Sequence, residues 1–190
     1  MTIPVEIPLP HALLRPWRRS DARSLVLHAN DREVWRNLRD RFPHPYTARD
    51  ARAWLGFSRT LPPGVAFAVE VEGAAVGGIG FEPLGDVFRV GAELGYWLGR
   101  AHWGRGIATE AVRAVTTHIF THFDFLRVQA GVYSWNPASA RVLEKAGYVL
   151  EATNRRAVIK DGEVGDRWLY VKLRAGSLEL GEDTKSPAAR

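Results

Sequence analysis

The chain has 190 residues, 46% of them hydrophobic and none of them cysteine, and it sets 26 lysines and arginines against 21 aspartates and glutamates for a net charge of +5. That length suits one domain of ~100–200 residues, the composition excludes wholesale disorder, and the missing thiols exclude disulfides and cysteine metal sites. No apolar run approaches the roughly 18 residues of a membrane span, and the opening MTIPVEIPLPHALLRP lacks the pattern of an export signal, so a soluble cytoplasmic protein is expected.

In chain order, residues 11–17 alternate loosely and read as an opening strand, after which Ser20 and Asp21 offer helix-start chemistry. Helical spacing then runs over about 21–29 and 31–39, and Thr47 caps a third segment through Ala51, Trp54, Leu55 and Phe57. His44, between two prolines, sits in a loop. Residues 65–71 and 75–81 flank the turn Glu72-Gly73 as a hairpin, and 87–98 form a further strand, antiparallel to its neighbours. A helix follows over 106–123 with Ile107, Ala111, Val115 and Ile119 on one face, then a strand over 127–133. Asn136-Pro137 opens a helix that Gly147 stops, and strands over 148–152 and 164–173 close the fold around a turn at Asp161-Gly162. This order predicts an α+β fold with a mixed, mostly antiparallel sheet. Residues 1–175 are expected to form a single domain and 176–190 a flexible polar tail.

Only four cationic residues are lysine (Lys145, Lys160, Lys172, Lys185), and the 22 arginines are scattered rather than gathered into a tract. An anionic small ligand or an acidic protein partner fits this charge as well as nucleic acid does.

The stretch from Glu93 to Glu110 runs from a strand through a glycine-bearing turn into a long helix. Glycines there let backbone approach a ligand closely, and the unpaired amides of a helix start favour an anion such as a diphosphate. The turn is joined by a second pattern at the start of the next helix, NPASARVLEKAGY from Asn136 to Tyr148.

With GYWLGRAHWGRGIATEA from Gly95 to Ala111, and a weaker match at Leu13 to Trp17, the sequence resembles the GNAT acetyltransferase superfamily. Within it, the sequence resembles the RimJ/RimL-like branch, which acetylates protein N-termini and various small amines. The resemblance implies strands splayed into a cleft for acetyl-CoA, whose pantetheine arm lies along backbone near Trp97 and Leu98. Amides from Trp103, Gly104, Arg105, Gly106, Ile107 and Ala108 would cradle the pyrophosphate, and Asn136 would bond the cofactor arm as well as cap its helix. The superfamily's usual Gln or Arg three residues before the first glycine is Ala101 here.

Acetyl transfer to an amine needs a neutral amine, a donor for the carbonyl oxygen and a proton for the departing thiolate. A backbone amide near Trp97 or Leu98 is expected to serve the oxygen, freed by a bulge that the family implies. Strand alternation sets Glu93, Gly95 and Trp97 on one face, so Glu93 is the candidate base, with a structural ion pair as its alternative reading. Ser139 matches the branch's serine near the cofactor sulfur and is the candidate acid, since the position of the tyrosine used by many members is Leu143 here. No metal is required, and the histidines offer no zinc spacing; His118 and His122 read as a solvated helix face. The acceptor side is expected from the N-terminal helices, residues 83–89 and residues 155–166. Arg32, Arg36 and Arg39 form either a solvated stripe or a site for an acidic acceptor. A homodimer is consistent with this fold, and the rival functions are a catalytically silent acyl-CoA-binding module and a nucleic-acid-binding protein.

Overall fold

The computed structural model describes residues 6–176. Two short strands, β1 (Ile7–Pro8) and β2 (Leu13–Arg15), precede the helices α1 (Ala22–Ala29), α2 (Arg32–Trp35) and α3 (Ala48–Ser58). The strands β3 (Ala66–Val71), β4 (Ala74–Pro83) and β5 (Gly91–Leu98) follow, then α4 (Ile107–His122), β6 (Arg127–Tyr133), α5 (Pro137–Lys145), β7 (Val149–Lys160) and β8 (Glu163–Leu173). All eight strands form one open sheet in the order β1-β2-β3-β4-β5-β6-β8-β7. Every neighbouring pair is antiparallel except β5 and β6, which α4 joins as a parallel crossover.

Local chemistry explains most of these boundaries. Glu72 and Gly73, at φ of 50° and 80°, supply the two left-handed residues of a tight turn between β3 and β4. Thr47 accepts from the Asp50 amide while the Asp50 carboxylate accepts from the Thr47 amide at 2.8 Å, a reciprocal cap on α3. At the end of α5, Gly147 donates to Glu144 O at 2.9 Å and Tyr148 to Leu143 O at 3.0 Å, with Gly147 at φ 84°; this left-handed stop closes the last helical carbonyls.

Helices cover the sheet on two sides. One core joins Leu94 and Leu98 of β5 to Ile107, Ala111, Val115 and Ile119 of α4 and Leu143 of α5. The other packs Leu25, Ala29, Ala51 and Leu55 of α1 and α3 on Ala68 and Ala75, with Trp17 and Tyr46 beside them. Arg15, 1% exposed, donates two 2.8 Å bonds to Asp21 and another to Glu70, fastening the chain before α1 to the sheet. A buried cation is tolerated there because carboxylates meet its donors.

Several elements depart from their sequence reading. Helix over 31–39 is confined to Arg32–Trp35, since residues beyond it turn away to make long-range ion pairs. The strand expected from 87 begins only at Gly91, after a 3₁₀ turn at Asp86–Phe88 that leaves Val87 and Phe88 exposed. β7 extends to Lys160 because register shifts between Leu150 and Ala152 and between Asn154 and Val158 let it bend and keep pairing. His118 is not solvated: it is 4% exposed, donates through Nε2 to Gly64 O at 2.9 Å, and stands edge-on to Phe67, where burial lowers its imidazole pKa. Of the expected tail, residues 177–190 lie outside the described residues.

Candidate active site

The cleft exists because β5 and β6 pair over only Gly91–Glu93 against Arg127–Gln129. Beyond that, β5 stays on β4 and β6 stays on β8, each with an unbroken ladder, so residues Leu94 to Leu98 and Ala130 to Tyr133 face each other across a gap. The gap belongs to a cavity of about 1230 Å³, larger than the ~300–1,000 Å³ of an ordinary small-molecule pocket.

Gly99 donates to Val76 O at 2.8 Å, and alternation from that bond directs the Trp97 amide to β4 and the Tyr96 and Leu98 amides to the open edge. The β4–β5 register runs from Ala92 to Leu98 without a shift. The bulge implied by the resemblance is therefore absent, and strand divergence exposes the Leu98 amide instead; Trp97 offers its ring, edge-on to Phe42 at 5.5 Å. Trp103 Nε1 donates to Leu98 O at 2.6 Å, which fixes that indole at the end of the gap.

Gly104 and Gly106 stand at φ 75° and 83°, a backbone that aims the turn into the N-terminus of α4. Arg105, Ile107 and Ala108 line the cavity with them, and Arg100 and Arg105 make no ion pair among the described residues. Unpaired helix-start amides, the Arg105 guanidinium beside His102 and an open strand edge suit a ligand with an anionic diphosphate and an amide-bearing arm. The chemistry of acetyl-CoA fits this donor set.

Ser139 and Glu93 come to opposite faces of β5. Asn136 caps α5 by accepting from the Ser139 amide at 3.2 Å, and Ser139 Oγ lies 2.8 Å from the hydroxyl of Tyr96, which also reaches Ser139 O at 3.2 Å. Burial pushes the Tyr96 phenol well above the ordinary tyrosine value. Strand alternation puts Tyr96 on the face opposite Glu93, toward α5, and that was the signal in the sequence for this contact. Leu143, where a tyrosine is common in the superfamily, is fully buried in the core.

Glu93 is an ion-pair partner: its Oε1 accepts from Arg39, and from Arg167 at 3.2 Å. Gly131 lets Arg167 cross β6, since a Cβ there would stand 2.4 Å from Arg167 Nε. No partner reaches Glu93 Oε2 among the described residues.

Of the segments expected on the acceptor side, some line the cavity and others do not. Val34, Asn37, Leu38, Arg39, Arg41, Phe42 and Pro43 line the cavity with Trp54 and Phe57 of α3, and Glu82 and Pro83 contribute, but no residue of 155–166 does. Instead, the tip of the β7–β8 hairpin holds the lining segment in place: Asp161 accepts from Arg32, Glu163 from Arg36 at 3.3 Å, and Lys160 donates to Asp40 at 2.7 Å. Lys160 also lies 3.9 Å above the Trp35 ring, and Trp135 Nε1 donates to Arg36 O at 3.3 Å. The arginines of the stripe are ion-paired to anions of this chain, Arg32 to Asp161, Arg36 to Glu163 and Arg39 to Glu93, while Arg32 and Arg39 stay about half exposed.

Comparison with known proteins agrees with the geometry. Residues 11–149 match the family model described as an acetyltransferase (GNAT) domain. A probable N-acetyltransferase, YjcK of Bacillus subtilis, is 46% identical over 71 residues, 37% of this chain and 39% of that protein. The ribosomal-protein-serine acetyltransferase of Escherichia coli is 30% identical over 110 residues, 56% of this chain and 59% of that protein. The chain spans 39% to 53% of the length of the first three curated relatives it matches. In fold alone it is similar to RimL, a ribosomal-protein acetyltransferase in complex with coenzyme A, at a TM-score of 0.76 and 22% identity over 88% of this chain and 97% of that one. With most of its length in the family match and its sheet divided between β5 and β6, the chain belongs to the GNAT acetyltransferase family.

Proposed function

We propose that this protein transfers the acetyl group of acetyl-CoA to a primary amine by direct attack within a ternary complex. The observation that carries this reading is the divided sheet, whose free β5 edge leads into the glycine turn and passes between Ser139 and Glu93. Acetyl-CoA supplies an activated thioester when bound. The Leu98 amide and the ring of Trp97 border its arm, amides from Trp103 to Ala108 with the Arg105 side chain receive its phosphates, and Asn136 adds a polar contact beside Ser139. The Leu98 N–H serves the carbonyl oxygen as charge develops. Glu93 accepts the amine proton through Oε2, directly or through one water, while Arg39 and Arg167 hold Oε1. Ser139 gives its proton to the departing sulfur.

The relatives named for ribosomal proteins support a protein N-terminus as acceptor, and a small-molecule amine enters the same cleft. No helix among the described residues is long and apolar enough to cross a membrane, and the supply of acetyl-CoA favours the cytoplasm. β7 is one edge of the sheet and exposes Val149, Leu150 and Ile159, so a second copy pairs there if the protein dimerises.

The test begins with melting temperature. Acetyl-CoA at a hundredfold excess over Kd stabilises by about 2.7 kcal/mol, a rise of roughly 5–10 °C for a chain of this size. Thiol release is then followed with peptides bearing free N-terminal serine or alanine and with spermidine. Ser139→Ala is expected to lower kcat about 100-fold with acetyl-CoA binding retained. Binding without thiol release from any of these amines favours a silent acyl-CoA module, and no thermal shift removes the reading altogether.

A further inference from the structure

The hydroxyl of Tyr96 is placed to govern the one group on which thiolate protonation depends in the proposed function. Its oxygen is 2.8 Å from Ser139 Oγ and 3.2 Å from Ser139 O, while the Ser139 amide is already held by the Asn136 cap. A phenol has one proton, so two arrangements compete. When it points to the carbonyl, the serine hydroxyl donates back to the phenol oxygen and its proton is turned away from the cleft. When the phenol donates to Oγ, the serine proton is released toward the gap between β5 and β6.

We infer that Tyr96 is a positioning residue that sets the direction of the Ser139 proton and so acts on the reaction through that serine. This rests on the reading of Ser139 as the acid. In the balanced step, the amine nitrogen forms a bond to the thioester carbon and the C–S bond breaks with its electron pair left on sulfur. Sulfur then takes the Ser139 proton, and the serine regains a proton from solvent, replacing the one the amine loses. Tyr96 stabilises the oxygen that has just lost its proton by donating to it.

Burial opposes ionisation of this phenol and outweighs the Ser139 hydrogen bond, which favours it; the neighbouring phenol of Tyr148 adds to the effect of burial. Tyr96 therefore remains a donor across the working pH range and is not itself the proton's source. Packing on the core around Leu94 and Leu98 fixes the ring, so removing the hydroxyl with Tyr96→Phe leaves the burial intact.

The test uses coenzyme A itself, with no acceptor needed. The ultraviolet absorbance of the thiolate reports the pH at which bound coenzyme A ionises. A hydrogen bond from Ser139 to sulfur favours the thiolate, so Ser139→Ala is expected to raise that pH by about one unit. Tyr96→Phe should raise it in the same direction, Tyr96→Phe/Ser139→Ala no further than Ser139→Ala alone, and Ser139→Thr should retain the wild-type value. Turnover should follow, with Tyr96→Phe lowering kcat about tenfold at an unchanged KM for acetyl-CoA. A shift with Ser139→Ala but none with Tyr96→Phe overturns the role of Tyr96 and leaves the serine in place. Additive shifts show that the phenol acts independently, which also overturns it. No shift with Ser139→Ala removes the serine as donor, and Tyr96 with it; failure of coenzyme A to bind is a failure of the proposed function instead.

Discussion

The two sides of the cleft are built by opposite means. On the side proposed for acetyl-CoA, residues close in sequence do the work: a strand end, two left-handed glycines and a helix start from Leu98 to Ala108, and a capped helix from Asn136. On the side proposed for the acceptor, the segment carrying Arg32, Arg36 and Asp40 is held by Asp161, Glu163 and Lys160, partners 129, 127 and 120 residues away. The first side is made of backbone geometry, which local residue types dictate; the second is made of charges that meet only after folding. Cofactor binding should therefore fail through backbone changes, and acceptor binding through loss of distant partners.

The largest effect should come from Gly106→Val. A Cβ there meets only Glu110 Oε1, at 3.8 Å, so the cost arises from the φ of 83°. A β-branched residue held in that region is strained by about 1–3 kcal/mol, and relief of the strain turns the amides away. The acetyl-CoA thermal shift should disappear in Gly106→Val and survive in part in Gly106→Asn, since asparagine tolerates the left-handed region. Equal losses in both would show that bulk, not backbone, matters at this turn.

Lys160→Ala tests the other side. Lys160 is 4% exposed, so truncation removes its contact with the Trp35 ring and the bond to Asp40. The melting temperature should fall by a few degrees, in line with ~1–2 kcal/mol, and the acceptor KM should rise while acetyl-CoA affinity stays unchanged. A matching loss of acetyl-CoA affinity would erase the division between the two sides.

Smaller still is the Arg32–Asp161 pair, whose side chains are 59% and 40% exposed. A double-mutant cycle with Arg32→Ala and Asp161→Ala should give a coupling below about 1 kcal/mol that salt weakens. One clasp bond alone then contributes little, and the set holds the segment.

The smallest effect is a pH dependence near the glycine turn. His28 of α1 and His102 lie 5.3 Å apart, and burial first, then the neighbouring charges, lowers both imidazoles below their ordinary value. The unfolded chain binds these protons more readily than the folded one, so stability is complete above the ordinary imidazole value and declines as pH falls through it toward the lowered values. Melting temperature should drop over that window, and less so in His28→Gln, which an unchanged drop in the variant would contradict.

Much of the fold was legible in the residues. The hairpin turn at Glu72-Gly73, the cap at Asn136 and the stop at Gly147 each place a residue type where its own conformational preference decides the backbone. The same holds for the glycine turn and for Ser139 at the start of α5. Helical spacing misled over residues 31–39, because Arg36 and Arg39 satisfy their charges on other elements rather than along a helix. Glu93 could be placed on its strand face, but not against Arg39 and Arg167, and Tyr96 could not be joined to Ser139, because strand and helix meet only across the sheet.

By itself, then, the sequence determined the order of elements and the glycine turn, since these depend on φ preferences, caps and periodicities spanning a few residues, and its motifs carried the resemblance to an acetyltransferase family. Tertiary structure alone decided how β5 and β6 part without a bulge, which amide faces the gap, and which charges close the acceptor side. Those outcomes are set by pairing and electrostatics between segments far apart in the chain, where no local preference reaches.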